Sequence, residues 1–459
     1  MKLVSRDRPP PTIRIRVALA RQRFGVLACA LRAPRPAVLL RIGLAVLLGA
    51  SLLLHLVLIA TTHGARDDIE AYGIQAASVF HHLNVFTVTT HYPYPPVWIW
   101  IVAAAQWCAT ALHLPFDQVV KLPATAADLA IAGVLYVFMR ERVGACWLAL
   151  LPAALDALNP TAILITAGHG QFDALVMLFA LLAITLRGPQ QDRRFGASGL
   201  ALGVAIALKG FPILLLPYLA ATTPKGKRRL TVAAACVPLA VSAAIYIAIF
   251  GFTPLMLTHV LGYHSPDDLG WIFLLRQIPL LGTAIIGTSL GSLIALVSLL
   301  LLSEVFIVGF AVAVPAWRFP RQPAAAVTLI FAALYATTTT LSGQNLVWIL
   351  PFAVLAVPLA AVVFTLIAFV AYIALAAASP TLAGALPSGV HWAGTPLASP
   401  ALHVLGALAI IVWSAIMMRQ LLQSRAPDAA TYLVSPQNQG TSPHEAKPVP
   451  QAILPTELR

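Results

Sequence analysis

Long apolar runs, each about as long as a membrane-spanning helix, recur through most of the 459-residue chain. A helix needs roughly 20 apolar residues to cross the hydrocarbon core of a bilayer. The composition agrees with this pattern, because 59% of the residues are hydrophobic, 10% are charged and the mean hydropathy is +0.86. We therefore predict an all-α polytopic membrane protein, a bundle of about 12 transmembrane helices with surface helices in its first outer loop.

The net charge of +13 is distributed unevenly, because a dense group of lysines and arginines precedes the first apolar run. Basic residues favour the cytoplasmic side of a membrane, so residues 1–36 are predicted to be a basic cytoplasmic segment. A nucleic-acid-binding surface would also carry interleaved aromatic residues, and Phe24 alone does not supply them. We expect the chain to associate with the lipid bilayer and to have no nucleic-acid partner.

The four cysteines show no CxxC or Cys/His spacing, so the sequence supports neither a zinc site nor a disulfide framework. The first apolar run, from about Ala37 to Ala60, is too long for a cleavable signal peptide and is interpreted as a retained span. Both chain ends are predicted to be cytoplasmic, and the simple architecture favours a bacterial inner membrane.

The first outer loop, residues 61–118, contains two predicted surface elements. Apolar residues recur at helical spacing between Asp67 and Leu83, which predicts an amphipathic helix on the membrane surface. The apolar stretch from Pro95 to Leu114 is interpreted as a partly embedded helix, because a full span there would put Arg140 on the outer side.

The later apolar runs alternate between the two sides of the membrane when clusters of basic residues are placed in the cytoplasm. Residues 37–425 form the predicted transmembrane domain, with a second outer loop at 251–280. The Pro/Gln/Ser-rich segment 426–459 is predicted to be a disordered cytoplasmic tail. The crossings beside the candidate site are about Val119 to Met139, Cys146 to Ala167, Ala197 to Leu208 and Phe211 to Ala221.

Polar residues gather in the predicted outer segments. Carboxylates there stand beside isolated cations, which suits a reaction in which a hydroxyl attacks while an anionic group departs. The candidates are Asp67, Asp68, Glu70, Tyr92, Tyr94, His169, Gln171, Asp173, Lys209, Arg276 and Gln344.

Three short motifs connect these candidates to a known family. The first is Asp68-Ile69-Glu70-Ala71-Tyr72 with the following Tyr-Pro-Tyr-Pro-Pro run, the second is Asn159-Pro160 upstream of His169-Gly170-Gln171-Phe172-Asp173, and the third is Leu208-Lys209-Gly210-Phe211-Pro212. Together they resemble the GT-C superfamily of polyprenyl-phosphate-sugar-dependent membrane glycosyltransferases, in particular its bacterial mannosyltransferase-like members. The resemblance covers roughly residues 37–351 and implies a GT-C-like catalytic domain.

The resemblance also implies the reaction. A polyprenyl-phosphate sugar would donate a hexose, mannose in the first place, to an acceptor hydroxyl on a glycan, lipid or protein at the periplasmic face, with inversion at the anomeric carbon. No cofactor is required, although a divalent metal held by carboxylate and histidine is compatible with these residues.

Roles for the candidates follow from the same resemblance. The first-loop aspartate would be the general base, and a cation would neutralise the departing phosphate. The implied catalytic residues are Asp68 and Asp67, the donor-binding residues Lys209, Arg276, Tyr92 and Tyr94, and the substrate-binding residues His169, Gln171, Asp173 and Gln344.

Each candidate also has a structural explanation. Asp67 followed by Glu70 forms a capping-box pattern, so Asp67 is expected to cap the surface helix. The alternatives for the others are interfacial anchoring for Tyr92 and Tyr94, backbone capping for His169 and Gln171, a helix-dipole contact for Asp173 and a reach to the membrane interface for Lys209.

Asp128, Asp156 and Glu304 lie within apolar runs, where ionisable residues indicate polar packing or a pathway. Such residues in a multi-pass chain also fit a secondary transporter or lipid flippase, and a non-catalytic scaffold is a third class. A transporter would show paired repeats, broken helices near the midplane and acids deep in the membrane. We find no convincing internal repeat and a concentration of polar motifs on one side, which favours the glycosyltransferase.

Overall fold

The computed structural model describes residues 36–90, 92–187, 194–262, 268–277 and 290–424, and every regular element in these ranges is a helix. The predicted N-terminal segment, apart from Pro36, and the predicted tail 426–459 lie outside the described residues. The same holds for the side chain of Glu304 and for parts of the second outer loop.

The described residues in the first half of the chain form ten α-helices, with short 3-10 and π segments between them. The helices are α1 (Pro36–Thr61), α2 (Arg66–Phe80), α3 (Val85–Val88), α4 (Val97–Leu112), α5 (Phe116–Val119), α6 (Leu122–Val143), α7 (Leu151–Ala157), α8 (Pro160–Ile163), α9 (Asp173–Thr185) and α10 (Phe195–Leu208). The segments between them are a 3-10 turn at Trp147–Ala149 and a π segment at Leu164–His169.

The second half continues with nine described α-helices and further 3-10 turns. The helices are α11 (Leu216–Ala221), α12 (Lys225–Phe250), α13 (Leu255–Leu261), α14 (Trp271–Arg276), α15 (Leu290–Arg318), α16 (Pro323–Thr337), α17 (Leu350–Ala356), α18 (Pro358–Ala378) and α19 (Pro400–Gln423). The 3-10 turns lie at Phe211–Leu215, Gly343–Val347, Ala383–Ala385, Trp392–Gly394 and Pro396–Ala398.

Several of the described helices are long and apolar enough to cross a membrane. The five that pass in full are Ala37–Thr61, Phe116–Val143, Lys225–Phe250, Pro358–Ala378 and Pro400–Gln423. Shorter apolar helices, of 10 to 17 residues, include Val97–Leu112, Asp173–Thr185 and Pro323–Thr337. The prediction of an all-α polytopic membrane protein is therefore confirmed, whereas the figure of about 12 spans stays a prediction.

The predicted span from Cys146 to Ala167 is not one continuous helix. Trp147–Ala157 and Pro160–His169 meet at an angle of 40°. Pro160 has no N–H to donate and ends the preceding helix, while Asn159 caps the next one by accepting from the backbone of Thr161 at 3.0 Å and Ala162 at 3.2 Å. The break is tied to α18, because the Asn159 amide donates to Thr365 Oγ1 at 2.8 Å.

Helix α2 starts differently from the prediction. It begins at Arg66, Ala65 occupies the N-cap position, and no side chain caps the helix, so the prediction that Asp67 is the cap is wrong. Glu70 accepts from Arg66 Nε at 2.9 Å, an i,i+4 pair that takes the glutamate away from a capping box. The first turn is held by the rest of the chain instead, since Arg66 N donates to the Thr381 carbonyl at 2.8 Å.

Helix α4 follows the Tyr-Pro-Tyr-Pro-Pro run and has 16 residues. Its length is about 24 Å, less than the roughly 30 Å of a bilayer core. The interpretation of this stretch as a partly embedded helix agrees with that length and stays a prediction.

The loop after α18 closes over the start of the first loop. The carbonyl of Gly384 accepts from His63 N at 3.0 Å and from Gly64 N at 2.9 Å. A Cβ on Gly384 would lie 2.4 Å from the Gly64 carbonyl oxygen, so only glycine permits this approach between two backbones. The contact fixes the chain immediately before α2.

We expect Gly384→Ala to destabilise the protein by about 1–3 kcal/mol, because backbone atoms on both sides must separate to admit the methyl group. The measurement is the thermal unfolding midpoint of detergent-purified protein. Gly394→Ala is the matched control, since nothing lies within 4 Å of a Cβ there. An equal midpoint for both variants would contradict this account of the loop contact.

Candidate active site

Asp68 and His169 form the centre of the candidate site. Asp68 lies in the first turn of α2, and His169 ends the π segment after the broken helix pair. His169 Nε2 is 2.7 Å from Asp68 Oδ2. The Asp68 side chain is 30% exposed and that of His169 is 3% exposed, so the carboxylate is reachable from outside while its partner is buried.

Tyr372, on α18, contacts the other nitrogen of His169. Its hydroxyl lies 2.5 Å from His169 Nδ1, and its side chain is fully buried. A neutral imidazole has one donor and one acceptor nitrogen. Both contacts are satisfied when Tyr372 donates to Nδ1 and the N–H on Nε2 donates to Asp68. Tyr372 thereby selects the tautomer that presents a proton to the carboxylate.

The surroundings of Asp68 favour its ionised form. Burial alone would raise the pKa of this carboxyl, but the hydrogen bond from His169, the Gln171 amide and the Lys209 charge together outweigh it. The net result is a pKa below the ordinary value for aspartate. Asp68 is therefore a carboxylate at neutral pH.

Backbone contacts hold the two halves of this pair together. Ala65 N, at the start of α2, donates to the His169 carbonyl at 2.9 Å. The chain then turns at Gly170, whose φ of +89° is accessible to glycine at low cost. After the turn, Gln171 Oε1 accepts from the Tyr72 hydroxyl at 3.3 Å, so α2 and the His169 segment are joined on both sides of the turn.

A second polar pair connects Lys209 with Asp173. Lys209 follows the last residue of α10, and Asp173 is the first residue of α9. The Lys209 ammonium lies 2.9 and 3.0 Å from the two carboxylate oxygens of Asp173. The Trp348 indole also donates to Asp173 Oδ1, at 2.5 Å. Both charged side chains are buried, at 8% and 0% exposure, so their charges compensate each other in a dry environment.

Aromatic rings surround the Lys209 ammonium. Its nitrogen lies 5.5 Å from the ring centroid of Tyr94, 5.4 Å from that of Phe172 and 5.8 Å from that of Trp348. Trp98 stacks on Phe172 at 4.0 Å and continues this wall. Cation–π contacts at these distances add to the pairing with Asp173 and limit the movement of the lysine.

The other predicted site residues lie in different surroundings. Asp67 is exposed on α2, and Arg276 is exposed at the end of α14. The buried Tyr92 hydroxyl is used within the chain, since it donates to the Pro95 carbonyl at 3.0 Å and accepts from Ile99 N at 3.2 Å. Gln344 is buried in the 3-10 turn that leads to Trp348.

Two residues of the site were missed by sequence reasoning. Tyr372 stands inside an apolar span, where a single tyrosine gives no periodic signal. Trp348 follows the polar Gln344-Asn345 turn closely, and this position is the one hint that the sequence contains.

Within the described ranges, no group of three or more His, Cys, Asp or Glu side chains is arranged to hold a metal ion. The Asp68–His169 pair supplies one carboxylate and one imidazole, and these bind each other. The expectation from the sequence, that no cofactor is required and that a divalent metal is compatible with the site, stays untested.

Comparisons with known proteins identify the family. The family model "Glycosyltransferase family 87" matches residues 71–342, which is more than half of the chain and begins three residues after Asp68. Among solved structures, the chain is similar to ArnT from Cupriavidus metallidurans bound to undecaprenyl phosphate, with 15% identity, 82% of this chain and 77% of that chain covered, and a TM-score of 0.36. The comparison with curated proteins finds no match. The predicted membership of the GT-C superfamily is confirmed by the family match, and the chain belongs to glycosyltransferase family 87, a GT-C-type family of membrane glycosyltransferases.

Proposed function

We propose that this glycosyltransferase transfers a hexose, mannose in the first place, from a polyprenyl-phosphate sugar to an acceptor hydroxyl, with Asp68 as the general base. The observation that supports the proposal best is the partly exposed Asp68 carboxylate, kept ionised by buried His169. A base must be deprotonated and within reach of the hydroxyl that it activates. Asp68 is ionised and partly exposed, as this role requires.

The proposed transfer is a single displacement. Asp68 Oδ2 is engaged by His169, so Oδ1 takes the proton of the acceptor hydroxyl. The acceptor oxygen forms a bond to the anomeric carbon while the bond between that carbon and the phosphate oxygen breaks. The products are the glycosylated acceptor, with inverted anomeric configuration, and polyprenyl phosphate.

Lys209 is the proposed partner of the departing phosphate. Two of its ammonium hydrogens face Asp173, which leaves a third to donate to a phosphate oxygen. Because Asp173 compensates much of the lysine charge, Lys209 acts here as a fixed hydrogen-bond donor more than as a free positive charge. In this proposal Asp173 positions Lys209 and does not bind the sugar.

The remaining assignments are proposals of the same kind. Tyr94 contacts the donor beside the phosphate, Tyr92 supports Tyr94 through an edge-on ring contact at 6.0 Å, and Arg276 is the alternative phosphate cation. Gln171 and Gln344 bind substrate polar groups. We place the site at the periplasmic face of a bacterial inner membrane, with a glycan, lipid or protein acceptor and without a required cofactor.

Asp68→Asn should reduce kcat by about 10²–10⁴-fold, because the amide cannot accept the acceptor proton. The assay follows sugar transfer from a polyprenyl-phosphate donor by purified, folded protein. Glu141→Gln is the control, because it removes an exposed carboxylate near the end of α6, and it should keep wild-type activity. Wild-type activity of Asp68→Asn would remove Asp68 as the base.

His169→Phe should move the acid limb of the kcat/KM profile to higher pH. The wild-type pKa of Asp68 is lowered mainly by His169, so without the imidazole the effect of burial dominates and the pKa rises. Activity, which needs the carboxylate, is then lost at a higher pH than in the wild type. Tyr372→Phe keeps the hydrogen bond between His169 and Asp68 and should shift the acid limb by a smaller amount than His169→Phe. If the acid limb stays at the wild-type pH in both variants, His169 does not control the pKa of Asp68.

Lys209→Met should reduce kcat on the order of 10²-fold, as expected when a donor to developing negative charge is removed from a buried site. The measurement is single-turnover transfer with saturating donor. Lys227→Met removes an exposed lysine from α12 and serves as the control. If Lys209→Met turns over like the control, the phosphate is stabilised elsewhere, and Arg276 becomes the residue to test.

A further inference from the structure

Three ionisable side chains lie inside the helical bundle, outside the proposed mechanism. They are His55 on α1, Asp128 on α6 and Asp156 on α7, with residue exposures of 0%, 3% and 2%. Ionisable groups at such positions are costly unless their charges are compensated. The three residues connect α1 and α6 to α7, which is the first helix of the broken pair.

His55 and Asp128 face each other as a buried pair. His55 Nδ1 lies 2.8 Å from the Ser51 carbonyl, which can only accept, so Nδ1 carries a hydrogen. His55 Nε2 lies 3.0 Å from Asp128 Oδ2. One histidine therefore stands at ion-pair distance from one carboxyl.

Asp156 adds a second carboxyl without a second histidine. Its Oδ2 atom is buried and has no hydrogen-bond partner among the described residues. Asp128 and Asp156 line the same small cavity, so a negative charge on one disfavours a negative charge on the other. Two adjacent carboxylates in a medium of low dielectric cannot both be ionised without a compensating cation or proton.

A small cavity lies between these carboxyls. Its volume is about 10 Å³, its polar lining consists of Asp128, Asp156 and Thr166, and the rest of its wall is apolar. That volume is roughly the minimum for one water molecule, and such a water needs two to four polar partners. The cavity offers three.

We propose that this cavity binds one water molecule and that Asp156 carries a proton, which it donates to the water. The water in turn donates to Asp128 and contacts the Thr166 hydroxyl. In the same proposal a further proton lies between His55 and Asp128, which makes the whole group neutral inside the membrane domain.

The site also bears on catalysis, because of where Thr166 lies. Thr166 belongs to the π segment that ends at His169. The hydrated site therefore connects α6 and α7 to the segment that presents the imidazole to Asp68. Asp156 is a positioning residue in this proposal and touches no substrate.

Infrared difference spectroscopy tests the proton directly and does not depend on the sugar or acceptor. At neutral pH, full-length wild type should show the carbonyl stretch of a protonated carboxylic acid, shifted in D₂O and absent from Asp156→Asn. Asp67→Asn should retain the band. Absence of the band from the wild type, or its survival in Asp156→Asn, would overturn the proposal.

The activity of two variants tests the positioning role. Asp156→Asn keeps a neutral polar group and should keep a kcat close to wild type. Asp156→Leu fills the cavity, expels the water and should lose on the order of 10²-fold in kcat with KM unchanged, as expected when a catalytic group is displaced by about 1 Å. Folded Asp156→Leu with wild-type kcat would refute positioning. If Asp156→Asn loses activity and the wild type requires sodium, the cavity binds a sodium ion in place of the water and the proton. That result would overturn the proposal.

Discussion

His169 is bound to the first-loop helix twice, once through its ring and once through its backbone. The ring nitrogen Nε2 contacts the Asp68 carboxylate at 2.7 Å, and the carbonyl accepts from Ala65 N at 2.9 Å. The first contact sets the protonation of the carboxylate, and the second sets the distance between the two segments. Without this double connection, Asp68 would be one more acid on a half-exposed helix, with an ordinary pKa.

The site is built where helices end. Asp68 lies in the first turn of α2. His169 and Asp173 flank the turn between the broken helix pair and α9, and Lys209 follows the last residue of α10. Backbone N–H and C=O groups at the ends of a helix have no partner within that helix. In this protein the glycine turns, Asn159 and the loop at Gly384 supply partners through contacts between segments. The same contacts that complete the hydrogen bonding also fix the catalytic side chains, which is the pre-organisation that transfer chemistry requires.

Much of this arrangement could be predicted from the sequence, because lipid restricts a chain severely. The lengths of the apolar runs predict the helical class, and Asp68, His169, Asp173 and Lys209 are predicted site residues because they lie in outer segments and in motifs that resemble the GT-C superfamily. Distances between these residues could not be predicted, since they depend on which helices are neighbours. For that reason Tyr372 could not be identified as a site residue from the sequence. Asp67 was misjudged because a local capping pattern yields to the Arg66–Glu70 pair, and the predicted third span was too simple because Asn159-Pro160 breaks it. The broken helix and the deep acids Asp128 and Asp156 are features that a transporter would also show, and the family match decides in favour of glycosyl transfer.

The most direct test of the central claim is an electron cryomicroscopy structure of the wild-type protein with bound polyprenyl monophosphate. The account predicts density for the phosphate within hydrogen-bonding distance of Lys209 Nζ, with Asp68 still bound to His169 and open towards the acceptor side. A phosphate bound at Arg276, or an Asp68 separated from His169 in the lipid-bound state, would contradict it.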